Sequence, residues 1–213
     1  PLPVPEVDRT LTLRRGSNRG ASAATGFEEL TYWRERLTTF EVLAATTMGQ
    51  TFNLIQPDGS SGPVEGALVT TSTFEVLRVP PLMGRVLLPE DERVGAVDVV
   101  VIGQDVWESQ LGSDPDIIGR VLRVGGIDRT VVGVMPASFR FPLNDLLWIT
   151  VRATSRADQV EDPEQLQDWP ALIVFGRLAD GVTEDEAGAE VAAVGVSTSP
   201  EEGPLGSSSA VVM

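Results

Sequence analysis

The most informative part of this chain is residues 99–142, which read VVVIGQDVWESQLGSDPDIIGRVLRVGGIDRTVVGVMPASFRFP. Residues 99–102 are four consecutive β-branched residues, a block that predicts a short strand buried on both faces. The larger side chains of residues 106–111 then share one helical face, and Gly112 is a stop signal. The first half of the segment therefore predicts a buried strand followed by a short helix.

The second half of the segment predicts a turn and a tight hairpin. Asp114-Pro115-Asp116 favours a turn, because proline fixes φ and pushes the preceding residue out of the helical region. Residues 120–124 and 127–134 have the composition of strands, and the Gly125-Gly126 pair between them tolerates the positive φ values of a two-residue hairpin loop. Pro136 has no N–H to give to a sheet and ends the second strand.

The order of these elements and the residues that form them resemble the MacB-like periplasmic core domain, the extracytoplasmic domain of FtsX/MacB-type ABC transporter permeases. The chain departs from the family pattern at Arg78, where glycine is usual, and at Ala179-Asp180, which replace Lys-Pro. The matching residues are Phe74 to Leu77, Pro80 to Arg85 and Glu90-Asp91 upstream; Trp107, Asp114-Pro115, Ile118-Gly119, residues 131–136, Phe139 and Phe141 in the middle; and Gly176-Arg177-Leu178, Gly181-Val182-Thr183 and Ala187 downstream.

The patterns near the two ends of the chain predict two βαβ units. Such units can share one four-stranded sheet with helices on one side, which would bring the ends of the chain close together. The first unit is a strand (10–13), a helix with Phe27, Leu30, Trp33 and Leu37 on one face, and a strand (42–48). The second is a strand (172–178), a helix begun by a Thr183 and Glu186 capping box with Val182 against Ala187, and a strand from Ala210.

The resemblance implies an α+β fold with two subdomains. Residues 1–51 and 152–213 would form a porter-like subdomain from the two βαβ units, and residues 52–151 would form an inserted, small, strand-rich α/β subdomain. A short connecting helix is predicted from Asp162 to about Trp169, because Pro163 occupies its first helical position and Gln165 can reach back to the cap.

Composition limits the function further. The net charge is −15, and the 16 basic residues, all of them arginine, are spread through a chain with 31 acidic residues, which disfavours nucleic acid and anionic lipid surfaces as partners. The chain has no cysteine, so there is no disulfide framework. No apolar run approaches the roughly 20 residues of a membrane span. The opening on Pro1, without a signal segment, suggests a piece of a longer protein.

The sequence offers little reactive chemistry. Histidine, lysine and cysteine are all absent, which excludes most nucleophilic mechanisms and leaves carboxylates as the remaining candidates. Glu90-Asp91-Glu92 is interpreted as a solvated loop, and Asp105 with Glu108 as an exposed helix face. Asp158, Glu161 and Asp162 lack the spacing of a calcium loop and are interpreted as capping and solvated residues. We therefore predict no catalytic, cofactor-binding or metal-binding residue, and no enzyme.

Other conspicuous residues have structural interpretations. Arg85 is expected to pair with a nearby carboxylate. The cluster of Arg14, Arg15 and Arg19 would be solvated or would contact a partner. Among the tryptophans, Trp107 and Trp148 are predicted to be core residues, Trp33 to pack a helix, and Trp169 to be half exposed.

We consider three hypotheses for the function of this chain. The resemblance implies a non-catalytic domain on the periplasmic or outer face of the bacterial inner membrane, held by membrane helices before Pro1 and after Met213. It would bind no cofactor itself, since ATP is used by the cytoplasmic ATPase, and would relay motion while contacting a second permease copy, an adaptor, or a peptide, lipid or lipoprotein cargo. The alternatives are a free-standing binding or chaperone-like module and a carboxylate-dependent hydrolase.

Overall fold

The computed structural model describes residues 7–15, 27–56, 58–93, 95–151, 172–195 and 208–212. They form a mixed α/β fold whose core is dominated by sheet. The strands are β1 (Thr10–Arg15), β2 (Phe40–Thr46), β3 (Gln50–Ile55), β4 (Ser61–Val69), β5 (Met83–Gly84), β6 (Val99–Gly103), β7 (Val121–Val124), β8 (Ile127–Met135), β9 (Leu147–Thr150), β10 (Ile173–Leu178) and β11 (Ser208–Val212). The helices are α1 (Phe27–Arg36), α2 (Ser72–Leu77), α3 (Gln104–Ser109) and α4 (Glu184–Val194), with short 3₁₀ helices at Val7–Arg9 and Pro89–Glu92.

The two ends of the chain meet in the strand order β11-β1-β10-β2, here called the terminal sheet. Every neighbouring pair in it is antiparallel, so β1 and β2 run parallel with β10 between them. The helices α1 and α4 supply Leu30, Trp33, Ala187 and Val191 to the apolar core of this sheet. Because Leu11 lies opposite Val212, the chain enters and leaves the sheet at the same end.

The middle of the chain closes into a ring of six strands in the order β4-β3-β7-β8-β6-β9, here called the ring. The closing strand is β9, which pairs antiparallel with β6 and parallel with β4. Trp148 of β9 lies opposite Val101 on one side and Ala67 on the other. The interior holds buried aliphatic side chains from all six strands, such as Leu54, Val100 and Leu122. Closure leaves these strands few unpaired edges.

The terminal sheet and the ring are joined by little backbone pairing. Thr46 of β2 lies opposite Val69 of β4, and this is the single strand pairing between the two parts in the described residues. An apolar cluster continues across the junction, with Ala44 and Phe175 from the terminal sheet beside Phe74 and Phe141. The boundaries 1–51, 52–151 and 152–213 remain a prediction.

The structure confirms the elements expected in residues 99–142. All five residues of β6 are buried, α3 follows directly, and β7 and β8 form the predicted hairpin. Its loop residues Gly125 and Gly126 have φ values of 59° and 83°, the left-handed region that a two-residue loop of this kind requires.

Other expectations are corrected or lie outside the described residues. The strand expected over 42–48 is β2 at Phe40–Thr46, because the chain turns after Thr46 and Thr47 donates its N–H to the carbonyl of Leu68. The expected helix from Asp162 to Trp169, the side chains of Arg14 and Arg15, and all of Arg19 lie outside the described residues.

Two glycines of the family pattern permit a close backbone approach. Gly84 lies opposite Gly133 where β5 pairs with β8. A Cβ atom on Gly133 would lie 2.0 Å from the carbonyl oxygen of Arg85, and one on Gly84 would lie 2.2 Å from that of Val132. Both distances are far below van der Waals contact, so any larger residue would force the strands apart.

Gly133→Ala is therefore expected to lower the free energy of unfolding by about 2 kcal/mol or more, since the strands must separate to admit the methyl group. The matched control is Gly188→Ala in α4, where a Cβ atom would meet nothing within 4 Å. The control should raise stability by up to about 1 kcal/mol. Urea unfolding monitored by tryptophan fluorescence measures both, and equal stability of Gly133→Ala and the wild type would contradict the close approach.

Arg78 departs from the family pattern at a strained position. It caps the C-terminus of α2 with φ 52° and ψ 30°, and its N–H donates to the carbonyl of Phe74 at 2.9 Å. This left-handed conformation explains why glycine suits the site, because a Cβ atom is unfavourable there.

Arg78→Gly is expected to be more stable than Arg78→Ala by about 1 kcal/mol. Both variants lose the ion pair that Arg78 forms with Glu41 at 2.6 Å, so the comparison isolates the backbone strain. Thermal unfolding of the two proteins side by side measures the difference. If alanine proves the more stable residue, the left-handed conformation is wrong.

Candidate functional site

Two of the three carboxylates at residues 90–92 accept hydrogen bonds within the protein: Asp91, and Glu92, which accepts from the N–H of Thr71. Asp91 is buried and accepts two hydrogen bonds from Arg85, at 2.6 and 3.0 Å, and one from the N–H of Leu88 at 2.8 Å. These bonds to Asp91 raise the pKa of the Arg85 guanidinium. The expected partner for Arg85 is thus confirmed. A fully solvated loop is wrong for Asp91, because a paired carboxylate can be buried at lower cost.

The second pair of carboxylates is also held by other residues. Asp105 bonds the guanidinium of Arg140, and Glu108 accepts a hydrogen bond from Gln104 at 2.7 Å. Neither bonds the other, so they do not form an acid/base pair. Across the described residues no group of three acidic side chains could hold a metal ion. Asp158, Glu161 and Asp162 lie outside those residues.

An open groove of about 410 Å³ lies where α1, β2, α2 and the 3₁₀ helix Pro89–Glu92 meet. Arg34 crosses it, donating to the carbonyl of Leu43 at 3.2 and 2.9 Å and to the hydroxyl of Ser72 at 2.8 Å. Glu41, Glu75 and Glu92 also line it. Apolar side chains such as Leu37, Phe40 and Val42 complete the lining, so the groove is mixed in character.

Glu190 is a carboxylate with a strongly lowered pKa. It accepts hydrogen bonds from the N–H and hydroxyl groups of both Thr38 and Thr39, at 2.5 to 3.0 Å. Burial opposes ionisation, but these bonds outweigh it and lower the pKa of Glu190 to about 2. The contact fastens α4 to the segment between α1 and β2.

Two further carboxylates show opposite effects of their surroundings. Burial raises the pKa of Asp145, with the nearby charge of Glu65 acting in the same direction, although the N–H of Leu143 partly offsets it. The backbone N–H and then the hydroxyl of Thr183 lower the pKa of Glu186. The latter contact confirms the predicted capping box at the start of α4.

The tryptophans have structural roles. Trp148 is fully buried and donates to the carbonyl of Phe141 at 2.8 Å, as expected for a core residue. Trp33 of α1 is fully buried and donates to the carbonyl of Gly195, the C-cap of α4, at 2.8 Å. Trp107 is half-buried rather than central, because its indole N–H reaches the carbonyl of Asp114 at the rim of the ring. Trp169 lies outside the described residues.

The family pattern thus consists of residues that build the fold. Arg177, of the pattern Gly-Arg-Leu, is fully buried and donates to the carbonyl of Val76 at 2.9 Å. A Cβ atom on Gly176 beside it would lie 2.5 Å from Leu43. Residues 2–194 match the family described as the MacB-like periplasmic core domain.

The chain belongs to this family. It is therefore a periplasmic domain of a MacB/FtsX-type ABC transporter permease. No helix of the described segments combines the length and the apolar character needed to cross a membrane.

Solved structures share the fold. A domain of a protein described as a permease, from Porphyromonas gingivalis, has a TM-score of 0.67 and 17% identity, covering 99% of this chain and 93% of that one. The periplasmic region of MacB from Actinobacillus actinomycetemcomitans has a TM-score of 0.63, 13% identity, and coverage of 87% and 82%. The extracellular domain of the noncanonic ABC-type transporter YknZ, from Gram-positive bacteria, has a TM-score of 0.64, 13% identity, and coverage of 87% and 91%.

None of these three structures is described as an enzyme, and the family is one of transporter domains. A search of curated proteins found no match.

Sequence reasoning missed the polar contacts that join distant segments. Glu190 and the Thr38-Thr39 pair are about 150 residues apart along the chain, and Arg177 and Val76 are about 100 apart. A pair of threonines after a helix was a weak signal for a carboxylate partner, but which carboxylate binds there depends on how the strands pair.

Glu190→Gln is expected to lower the free energy of unfolding at pH 7 by about 1 kcal/mol, a figure below the full effect of the pKa shift because Glu190 is partly exposed. A carboxylate with a lowered pKa stabilises the fold above its ordinary value of 4.5, and this contribution is lost as the pH falls towards 2. The difference between variant and wild type should therefore shrink over that window.

Urea unfolding between pH 7 and pH 2.5 measures this difference. The control is Glu35→Gln, whose carboxylate pairs with the adjacent exposed Arg36 and should matter little at any pH. A difference for Glu190→Gln that stays constant with pH would contradict the assignment.

Proposed function

We propose that this domain relays ATP-driven motion of the membrane helices of a permease to structures on the periplasmic side. The observation that carries the proposal is the pairing of β1 with β11, which places the entry and the exit of the chain side by side. Helices attached there would move the terminal sheet directly. The ring continues from the opposite end of β2, where Thr46 meets Val69, and is placed to carry the displacement outward.

The partners follow from this role. The permease would act with a second copy, and the two domains would face an adaptor or a peptide, lipid or lipoprotein cargo. The domain itself would need no cofactor, because ATP is consumed by the cytoplasmic ATPase. The bonds of Asp91, Asp105 and Glu190 to other segments support a mechanical role over a hydrolytic one, since these carboxylates are engaged in holding elements together.

The test is a distance measurement in the full-length permease in membranes, with a spin label on each of the two copies. The absence of cysteine from this domain allows single labels at Asp180, near the end where the chain enters, and at Arg123 in the ring. We expect ATP binding, with hydrolysis blocked, to change both the Asp180 to Asp180 and the Arg123 to Arg123 distances.

A permease with an ATPase that cannot bind nucleotide is the control and should show neither change. If ATP changes the Asp180 distance and leaves the Arg123 distance constant, the proposed relay is wrong. If neither distance responds although the membrane helices move, the domain is not driven by them at all.

A further inference from the structure

The helix α2 occupies the junction between the terminal sheet and the ring. It follows β4 directly and is six residues long. Its residues Phe74, Val76 and Leu77 are buried in the apolar cluster that crosses the junction. Phe74 stacks on Phe139 of the ring side at 5.9 Å, so apolar contact and chain continuity both attach α2 to the ring.

Polar contacts attach the same helix to the terminal sheet. The hydroxyl of Ser72, at its first turn, donates to the carbonyl of Leu43 in β2 at 3.0 Å and accepts from Arg34 of α1 at 2.8 Å. Near its last turn, the carbonyl of Val76 accepts from Arg177 of β10 at 2.9 Å. Arg78, the C-cap, pairs with Glu41 of β2 at 2.6 Å. The two ends of α2 are thus bonded to the strands β2 and β10 and to the helix α1.

These bonds differ in their access to water. Ser72, Arg34 and Glu41 line the open groove, so solvent and partners can reach them. Arg177 is fully buried, and its bond to Val76 is shielded. Among the described aromatic contacts, the one between Phe141 and Phe175, at 4.8 Å, joins the ring side to the terminal sheet, and it is apolar and weakly directional.

We infer that α2 is a polar latch that makes the terminal sheet and the ring move and unfold as one body. The inference rests on the proposed function for its use in transport, but the latch itself is a property of the isolated domain. Backbone contact between β2 and β4 is confined to a short stretch, where Thr46 lies opposite Val69 and bonds join Thr47 to Leu68 and Thr70 to Ala45. Without further contacts, the two parts could pivot about this stretch. Bonds at both ends of α2 remove that freedom, so that a displacement of β2 reaches the ring.

The test is the double variant Ser72→Ala/Glu41→Ala, which removes the bonds of Ser72 and Arg78 on the groove side and leaves Arg177 in place. It also removes the longer 3.8 Å pair of Glu41 with Arg9. The measurement is hydrogen exchange of the most protected amides in β10 and in β6. In the wild type these amides should exchange at matching rates, because both parts open in one global unfolding. In the variant their rates should differ by about tenfold or more, the ratio that corresponds to about 1.4 kcal/mol.

The matched control is Ser109→Ala/Glu108→Ala in α3, a helix of the same length within the ring. It removes one serine and one glutamate side chain, as the latch variant does, but no contact with the terminal sheet. The exchange rates of the amides in β10 and β6 should therefore stay matched. If the latch variant speeds exchange equally in both strands, or changes neither, the inference is overturned. Unmatched rates in the wild type would also overturn it.

The full-length permease separates this inference from the proposed function. With Ser72→Ala/Glu41→Ala, ATP should still change the distance at Asp180, and the change at Arg123 should be lost or strongly reduced. If the wild type shows no change at Arg123, the proposed function fails while the exchange result still decides the latch. If the variant keeps the full change at Arg123, the latch is not what transmits the motion.

Discussion

The ring depends on the insertion of β9 between β6 and β4. Trp148 lies at the centre of this insertion, fully buried and opposite Val101 and Ala67. Its indole N–H donates to the carbonyl of Phe141, and its indole packs against the side chain of Phe139 with 4.9 Å between the centroids. A strand in this position satisfies the backbone groups of both neighbours at once. Without it, β4 and β6 would each present an unpaired edge, and the apolar interior between them would be open to water.

Local signals made part of this fold predictable from the sequence. The run of β-branched residues, the Gly125-Gly126 loop and the Thr183 capping box each act within a few residues, and each appears where it was expected. The closure of the ring could not be predicted in this way. It pairs β4 with β9, about 80 residues later, and neither strand carries a mark of its partner. The burial of Asp91 was missed because it depends on the place of Arg85.

The functional interpretation came from the order of several weak motifs, and the structure explains what those motifs do. Gly84 and Gly133 allow two backbones to approach, Arg85 buries Asp91, and Arg177 reaches Val76 through the core. These residues of the signature therefore specify an architecture. This is why the sequence could indicate the family of transporter and the place of the domain in it.

The pairing of β1 with β11 gives the domain a direction-dependent strength. A force on the two chain ends would reach both strands at the same end, where Leu11 lies opposite Val212. Pulling the two chain ends apart would break their hydrogen bonds one after another, as in a zipper, which requires little force. Shifting both ends together strains none of these bonds and carries the sheet along intact. The fold is thus compliant to separation of its two chain ends and stiff to their concerted movement.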